Sequence, residues 1–120
     1  MKLGRRVAPL ALALLLAVTQ YASGREDLLR VGVSQLQHLQ YDQAIETFDH
    51  FLKTDPHNVF GEYYMGVAAE KKGDRKTALK YYQLAASNPS RSNLYIRGGK
   101  KVRVSEMAAD AAIRLGREAP

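Results

Sequence analysis

The feature that most constrains the fold is an internal repeat with an interval of 34 residues. When the chain is aligned with itself at that offset, apolar residues of matching size coincide. The coincident pairs are Val31 and Met65, Gly32 and Gly66, Ala44 and Ala78, Ile45 and Leu79, and Phe48 and Tyr82. A period of about 20–50 residues is typical of solenoids, in which each repeat is one supersecondary unit that buries its apolar face against the next.

Both copies carry the same spaced motif of glycine, alanine, aromatic and proline residues. Copy one has Leu28-x2-Val31-Gly32, Ala44-x3-Phe48 and Pro56, and copy two has Glu62-x2-Met65-Gly66, Ala78-x3-Tyr82 and Pro89. The motif resembles the tetratricopeptide repeat, whose pattern is W-x2-L-G-x2-Y, A-x3-F and P. Both copies lack the first Trp and the Tyr after Gly. The resemblance covers residues 25–90 and implies an all-α fold, an α-solenoid of two helix-turn-helix hairpins at 25–58 and 59–92.

The alternation of small and large residues predicts how the two helices of each hairpin pack. Gly32 and Ala44 have little bulk, so the helix backbones can approach closely, and Phe48 fills the space beside that contact. Pro56 ends the second helix because it has no backbone N–H to donate.

Polar residues and a glycine predict the helix ends inside each copy. Asp42 and Asp74 precede the second helices and are predicted N-caps. Gly73 stands just before Asp74 and suits the turn between the helices of copy two.

Residues 93–120 are predicted to be a degenerate third unit with a capping helix. We expect a short helix or turn near Ser92–Arg97, a break at Gly98-Gly99, and a final helix over about 104–116, since two glycines inside a helix cost about 2 kcal/mol. An apolar stripe at helical spacing runs along that last helix. It consists of Val104, Ala108, Ala111 and Leu115, with Met107 beside it. The stripe is predicted to cap the solenoid, and the alternative is that it docks a partner or a second copy of the chain.

The first 24 residues have the layout of a secretory signal peptide. A basic start is followed by an apolar run from Val7 to Val18 and by the small residues Ala22-Ser23-Gly24. The run is too short for a comfortable span of about 20 residues, although an uncleaved membrane anchor is the alternative. Cleavage removes three of the 18 basic residues and lowers the net charge from +6 to +3. The mature chain, 25–120, is therefore predicted to be periplasmic or extracellular, with at most peripheral membrane contact.

The resemblance also implies a binding groove, because the first helices of successive repeats line a concave surface in this family. The matching positions hold Glu26, Leu29, Val33 and Leu36 in copy one and Phe60, Tyr63, Val67 and Glu70 in copy two, with Tyr64 beside them. The candidate groove residues are the apolar and aromatic ones of this set: Leu29, Val33, Leu36, Phe60, Tyr63, Tyr64 and Val67. Such an apolar and aromatic surface suits an extended peptide or an amphipathic helix. The alternative is that Phe60 and Tyr63 are core residues that contact the neighbouring repeat or the C-terminal segment.

A second candidate site is a cluster of positive charges in the C-terminal third. Arg97, Lys100, Lys101 and Arg103 fall within seven residues. The cluster can attract anionic lipid, cell-wall glycan or an acidic protein, and the alternative is a solvated loop. Any such contact should weaken in high salt.

The sequence offers little support for catalysis, a cofactor or a metal. It has no cysteine, and its three histidines lack a spacing that gathers ligands. It has no glycine-rich phosphate loop and no nucleophile elbow. The modest charge after export does not indicate a nucleic-acid partner. We therefore expect a non-catalytic adaptor that binds another protein or a peptide segment, with a basic binder of glycan or anionic lipid as the alternative.

Overall fold

The computed structural model describes residues 27–89 and 94–118, which form helices and one pair of strands. The elements are α1 (residues 27–37), α2 (Tyr41–Thr54), α3 (Val59–Lys72), α4 (Arg75–Ala86), β1 (Leu94–Arg97), β2 (Lys100–Arg103) and α5 (Val104–Glu118). Helices α2, α3 and α4 each pack against the next helix in the chain. The predicted all-α solenoid of stacked helix pairs is thus confirmed.

The glycines and aromatic residues of the repeat meet at equivalent points of the two hairpins. A Cβ atom added to Gly32 would lie 2.7 Å from Cζ of Phe48, and one added to Gly66 would lie 2.7 Å from Cδ1 of Tyr82. Both distances are shorter than a carbon–carbon contact. Glycine therefore lets each ring lie directly against the backbone of the preceding helix, as the alternation of small and large residues predicts.

The repeats bury two neighbouring apolar clusters. The first, between the two hairpins, contains Ala44, Phe48, Met65 and Ala68. The second, between α3, α4 and α5, contains Val59, Ala69, Ala78, Tyr82, Ala85, Val104, Ala108, Ala111 and Leu115. Helix α3 contributes to both clusters and is therefore the central element of the stack.

One of the two predicted N-caps is confirmed and the other is wrong. The Asp74 carboxylate accepts a hydrogen bond from the backbone N–H of Thr77 at 3.1 Å and caps α4. Asp42 instead lies in the first turn of α2, whose N-cap is Gln40 without a side-chain hydrogen bond. The repeat explains the difference, because an offset of 34 places Gln40, not Asp42, opposite Asp74.

The turns inside the two hairpins have the same left-handed backbone in spite of different residues. Gly73 has φ 96°, as suits the predicted turn, and Leu39 at the equivalent place in copy one has φ 62°. The left-handed region disfavours a residue with a Cβ atom. Helix α2 ends at Thr54, just before Pro56, as predicted.

The C-terminal third contains a β-hairpin where the sequence predicts a short helix or turn. Strands β1 and β2 are antiparallel, with Arg97 opposite Lys100. The turn consists of Gly98 at φ 56° and Gly99 at φ 79°. Two positive φ values suit the two-residue turns whose twist matches that of the flanking strands. The predicted break at the glycines is therefore confirmed, but the segment before it is a strand.

The predicted final helix is present, and its apolar stripe is buried. Val104, Ala108, Ala111 and Leu115 are between 0 and 8 % exposed and belong to the second cluster. Helix α5 packs mainly on α4 and also touches α3. The stripe is thus used inside the chain and is not free to dock a second copy.

Within residues 27–89 and 94–118, no helix combines the length and apolar character needed to cross a bilayer. The predicted signal peptide at residues 1–24 lies outside the described residues.

Candidate functional site

The predicted groove residues divide between two places in the structure. Leu29, Val33 and Leu36 on α1 are half-buried and pack against the first apolar cluster. The four predicted residues on α3 are also half-buried, and they line a cleft toward the C-terminal segment. The α1 residues do not line this cleft, so the structure does not gather all seven residues around one cavity.

This aromatic cleft lies between α3, β1 and α5. Its walls consist of Phe60, Tyr63, Tyr64 and Val67 from α3, Tyr95 and Arg97 from β1, and Val104 and Met107 from α5. The α3 residues recur three and four positions apart and so share one helix face. The cleft has a volume of about 280 Å³. The C-terminal segment therefore forms one side of the predicted binding surface without filling it.

Ring contacts hold the aromatic floor of the cleft in place. The ring centroids of Tyr63 and Tyr64 are 5.5 Å apart in an edge-to-face arrangement. Tyr64 stacks on buried Phe48 at 5.9 Å, and Tyr63 contacts buried Tyr82 at 5.8 Å. Offset-stacked and edge-to-face pairs at such distances add to the stability of packed aromatic residues. The two tyrosines thus present a surface that is ordered before any ligand arrives.

The cleft also offers polar groups to a ligand. Burial raises the pKa of both Tyr63 and Tyr64, so their hydroxyl groups are protonated at neutral pH. Neither hydroxyl forms a hydrogen bond within the described part of the chain. Arg97 interacts electrostatically with Tyr63 and brings a positive charge to the same edge. An apolar floor with two hydroxyls and a guanidinium can accept an apolar side chain beside a carbonyl or carboxylate group.

A network of charged and polar groups joins α5 to α3 and so positions one wall of the cleft. Arg114 donates hydrogen bonds from its two terminal nitrogens to the Glu70 carboxylate, at 2.6 and 2.9 Å. Tyr82 donates its hydroxyl hydrogen to the same carboxylate at 2.8 Å. These bonds lower the pKa of Glu70, although its partial burial opposes them. Bidentate arginine–carboxylate pairs fix orientation as well as distance.

The predicted cationic residues all lie on the β-hairpin. The register places Arg97 opposite Lys100 and Lys101 opposite Ile96. Because side chains alternate between the faces of a strand, Arg97 and Lys100 share one face, and Lys101 and Arg103 share the other. All four residues are exposed.

Sequence reasoning identified the α3 side of the cleft but missed its other side. Tyr95 was not a predicted site residue, and Arg97 was predicted only as part of the cationic cluster. The available signal was Gly-Gly between two short runs containing β-branched and aromatic residues, a pattern that indicates a hairpin.

Comparison with known proteins bears on the two repeats. A sequence model of the tetratricopeptide repeat matches residues 28–58 and 62–89, which cover α1–α2 and most of α3–α4. Comparison with curated proteins gives no match. The two matched segments follow the helix pairs seen in the structure and together reach from residue 28 to residue 89 of 120. The chain therefore belongs to the tetratricopeptide repeat family.

Proposed function

We propose that this chain is a non-catalytic adaptor that holds a segment of another protein in the aromatic cleft. Tetratricopeptide repeats are typically interaction modules rather than enzymes, and the chain carries two of them. The observation on which the proposal depends is the half-buried aromatic surface of α3, which packs in part against the two apolar clusters and lines the cleft on its remaining side. Aromatic residues at such surfaces are common energetic anchors of protein interfaces.

The size and chemistry of the cleft indicate what part of a partner it holds. Small-molecule sites usually enclose about 300–1,000 Å³, and this cleft lies just below that range. It suits one or two apolar side chains of an extended segment. The hydroxyls of Tyr63 and Tyr64 form no hydrogen bond among residues 27–89 and 94–118. Together with the charge of Arg97 they favour a segment with a carboxylate next to its apolar anchor.

Selection of peptides tests the cleft directly. Peptides selected against the mature chain from a random displayed library should carry an apolar residue next to Asp or Glu. Phe60→Ser and Tyr95→Ser should each weaken their binding about tenfold or more, as loss of an interface anchor does. Ile113→Ser is the matched control, because Ile113 is 54 % exposed on the outer side of α5. Equal weakening by all three variants, or selection of peptides that the cleft variants bind normally, would contradict the proposal.

We further propose that the adaptor works outside the cytoplasm, in the periplasm or cell envelope. The basic start, short apolar run and small residues of positions 1–24 support export. Secretion, pilus assembly or envelope assembly would be suitable settings for an exported adaptor.

Sequencing the N-terminus of the chain purified from its native cells tests this setting. We expect a mature protein that begins at Arg25 and is found in the soluble envelope fraction. An intact N-terminus in the membrane fraction would support the alternative of an uncleaved anchor. An intact N-terminus in the cytoplasmic fraction would contradict export.

A further inference from the structure

The β-hairpin is an isolated two-stranded sheet with exposed edges. Only Val102 of its eight strand residues is half-buried, and the others are exposed. No third strand pairs with β1 or β2 anywhere in the described ranges. The outer edges of such a sheet present backbone N–H and C=O groups that can pair with another extended chain.

The outer edge of β2 carries an unusual concentration of positive charge. Lys100, Lys101 and Arg103 are three of its four residues. Directly opposite Lys100, β1 has another cation, Arg97, and like charges in opposed positions destabilise a strand pair. Among the described residues, the one ion pair that these four cations form is that of Arg103 with Glu106, at 4.0 Å. The hairpin therefore holds a positive charge that the chain itself hardly compensates.

The arrangement of these charges distinguishes among possible occupants. A flat anionic surface reaches one face of the hairpin and thus two of the four cations. A strand lying beside β2 places its own side chains alternately on both faces and can meet Lys100, Lys101 and Arg103 together. A second copy of the hairpin would set cation against cation, which edge strands use to prevent self-association.

We propose that the outer edge of β2 accepts an extended acidic segment of a partner protein as a third strand. The backbone groups of Lys101 and Arg103 point to that edge, because those of Lys100 and Val102 pair with β1 in a hairpin with a two-residue turn. Carboxylates at two or more positions of the segment lie beside the β2 cations. This contact is separate from the aromatic cleft and does not depend on it.

A synthetic peptide tests the proposal. The probe is the acetylated and amidated peptide TEVEET, which places Glu, Val, Glu and Glu opposite β2 in antiparallel register. A second probe carries N-methyl groups on the amides of its pairing edge and keeps the same charge. A third probe, TKVKKT, reverses the charge. Binding is measured by fluorescence anisotropy, and NMR detects cross-strand proton contacts with Lys101 and Arg103.

We expect TEVEET to bind, N-methylation to weaken binding at least tenfold, and TKVKKT not to bind. Lys101→Glu with Arg103→Glu should weaken TEVEET about tenfold, because two attractive cross-strand pairs become repulsive. The control, Lys71→Glu with Lys76→Glu, changes net charge equally but lies on α3 and α4, and should alter binding less than about twofold.

Three results would overturn the proposal. Equal binding of the N-methylated peptide would show a contact made by charge alone. Equal loss in the control variant would show a response to net charge. Binding to vesicles of phosphatidylcholine with phosphatidylserine, without any binding of TEVEET, would assign the hairpin to anionic lipid instead. Circular dichroism of each variant verifies that the helices are intact. Because β2 does not line the aromatic cleft, a negative result with TEVEET leaves the cleft proposal unaffected.

Discussion

At the scale of single residues, the close contact between Gly66 and Tyr82 controls the packing of copy two. A methyl group at Gly66 would lie 2.7 Å from Cδ1 of a ring that is 2 % exposed and cannot easily move. Helix propensity alone favours alanine over glycine by about 1 kcal/mol. Overpacking a core costs about 1–3 kcal/mol and should outweigh that gain.

Gly66→Ala should therefore lower the free energy of unfolding by up to about 2 kcal/mol, as measured by urea denaturation. Gly116→Ala provides a matched comparison, because an added Cβ there meets nothing within 4 Å. That variant should be neutral or stabilised by up to about 1 kcal/mol. Stabilisation of both variants would show that the ring does not rest on the α3 backbone.

Glu62, near the start of α3, has a buried carboxylate, and burial disfavours its ionised form. Glu62 is 5 % exposed, and the Asn88 side-chain amide donates a hydrogen bond to it at 2.9 Å. Burial raises the pKa of Glu62 and outweighs the effects of Asn88 and His57. A raised folded-state pKa gives stability that is complete below the unfolded pKa and is lost as the pH rises through the folded pKa.

Glu62→Gln should thus raise the urea midpoint at pH 7 and raise it less at pH 4, because glutamine keeps the acceptor for Asn88 without the charge. The exposed Glu46→Gln should change the free energy of unfolding by less than about 0.5 kcal/mol at both pH values. A gain that is equal at pH 4 and pH 7 would argue against burial of the ionised group.

At the scale of elements, two features hold α5 in place. The sequence predicts the apolar stripe, but it does not predict the network of charged and polar groups around Glu70. The spacing of Val104, Ala108, Ala111 and Leu115 is visible in the sequence, and all four residues are buried. The partners Glu70 and Arg114 are 44 residues apart, and no local pattern indicates that they meet. Long-range polar pairs follow from the packing of the apolar faces and become predictable only when that packing is known.

Arg114→Ala should lower the free energy of unfolding by about 1 kcal/mol at pH 7, a modest value because the side chain is 48 % exposed. Glu70 has a lowered pKa, so its contribution exists above its unfolded pKa and is lost as the pH falls through the folded pKa. The cost of the substitution should accordingly decline in acid. Hydrogen exchange should report faster opening of α5, whereas Arg117→Ala should leave it unchanged. Unaltered exchange in Arg114→Ala would exclude the network as the tether of α5.

The β-hairpin shows where an element could be predicted only in part. Gly98-Gly99 predicts a break in any helix, and the chain does turn there. The place of this segment after two helical repeats favours a helix before the turn. Residues such as Tyr95 and Ile96, however, suit a strand equally well. Short apolar segments do not distinguish the two structures by periodicity. Because β1 supplies Tyr95 and Arg97 to the cleft, the unpredicted strand also left these two residues out of the predicted groove.

At the scale of the whole molecule, a solenoid of two repeats has one concave surface, and the apolar face of its last repeat must be covered. The family pattern predicted that surface along α1 and α3, and its seven residues remain candidates. In the structure, α5 and the hairpin lie next to α3. The cavity is therefore narrower than the predicted groove and lies on its C-terminal side. Small size thus turns an extended groove into a local cleft, because the segment that covers the last repeat also limits access to it.

Site-specific photo-crosslinking in the native cells tests the central claim, docking of a protein segment in the aromatic cleft, most directly. A benzophenone amino acid replaces Tyr95 in one variant and Ile113 in a control variant, since both side chains are exposed but only Tyr95 lines the cleft. Irradiation should produce a discrete protein adduct at position 95, absent at position 113, and Phe60→Ser should abolish it. An adduct of equal yield at both positions, or one that survives Phe60→Ser, would contradict the claim.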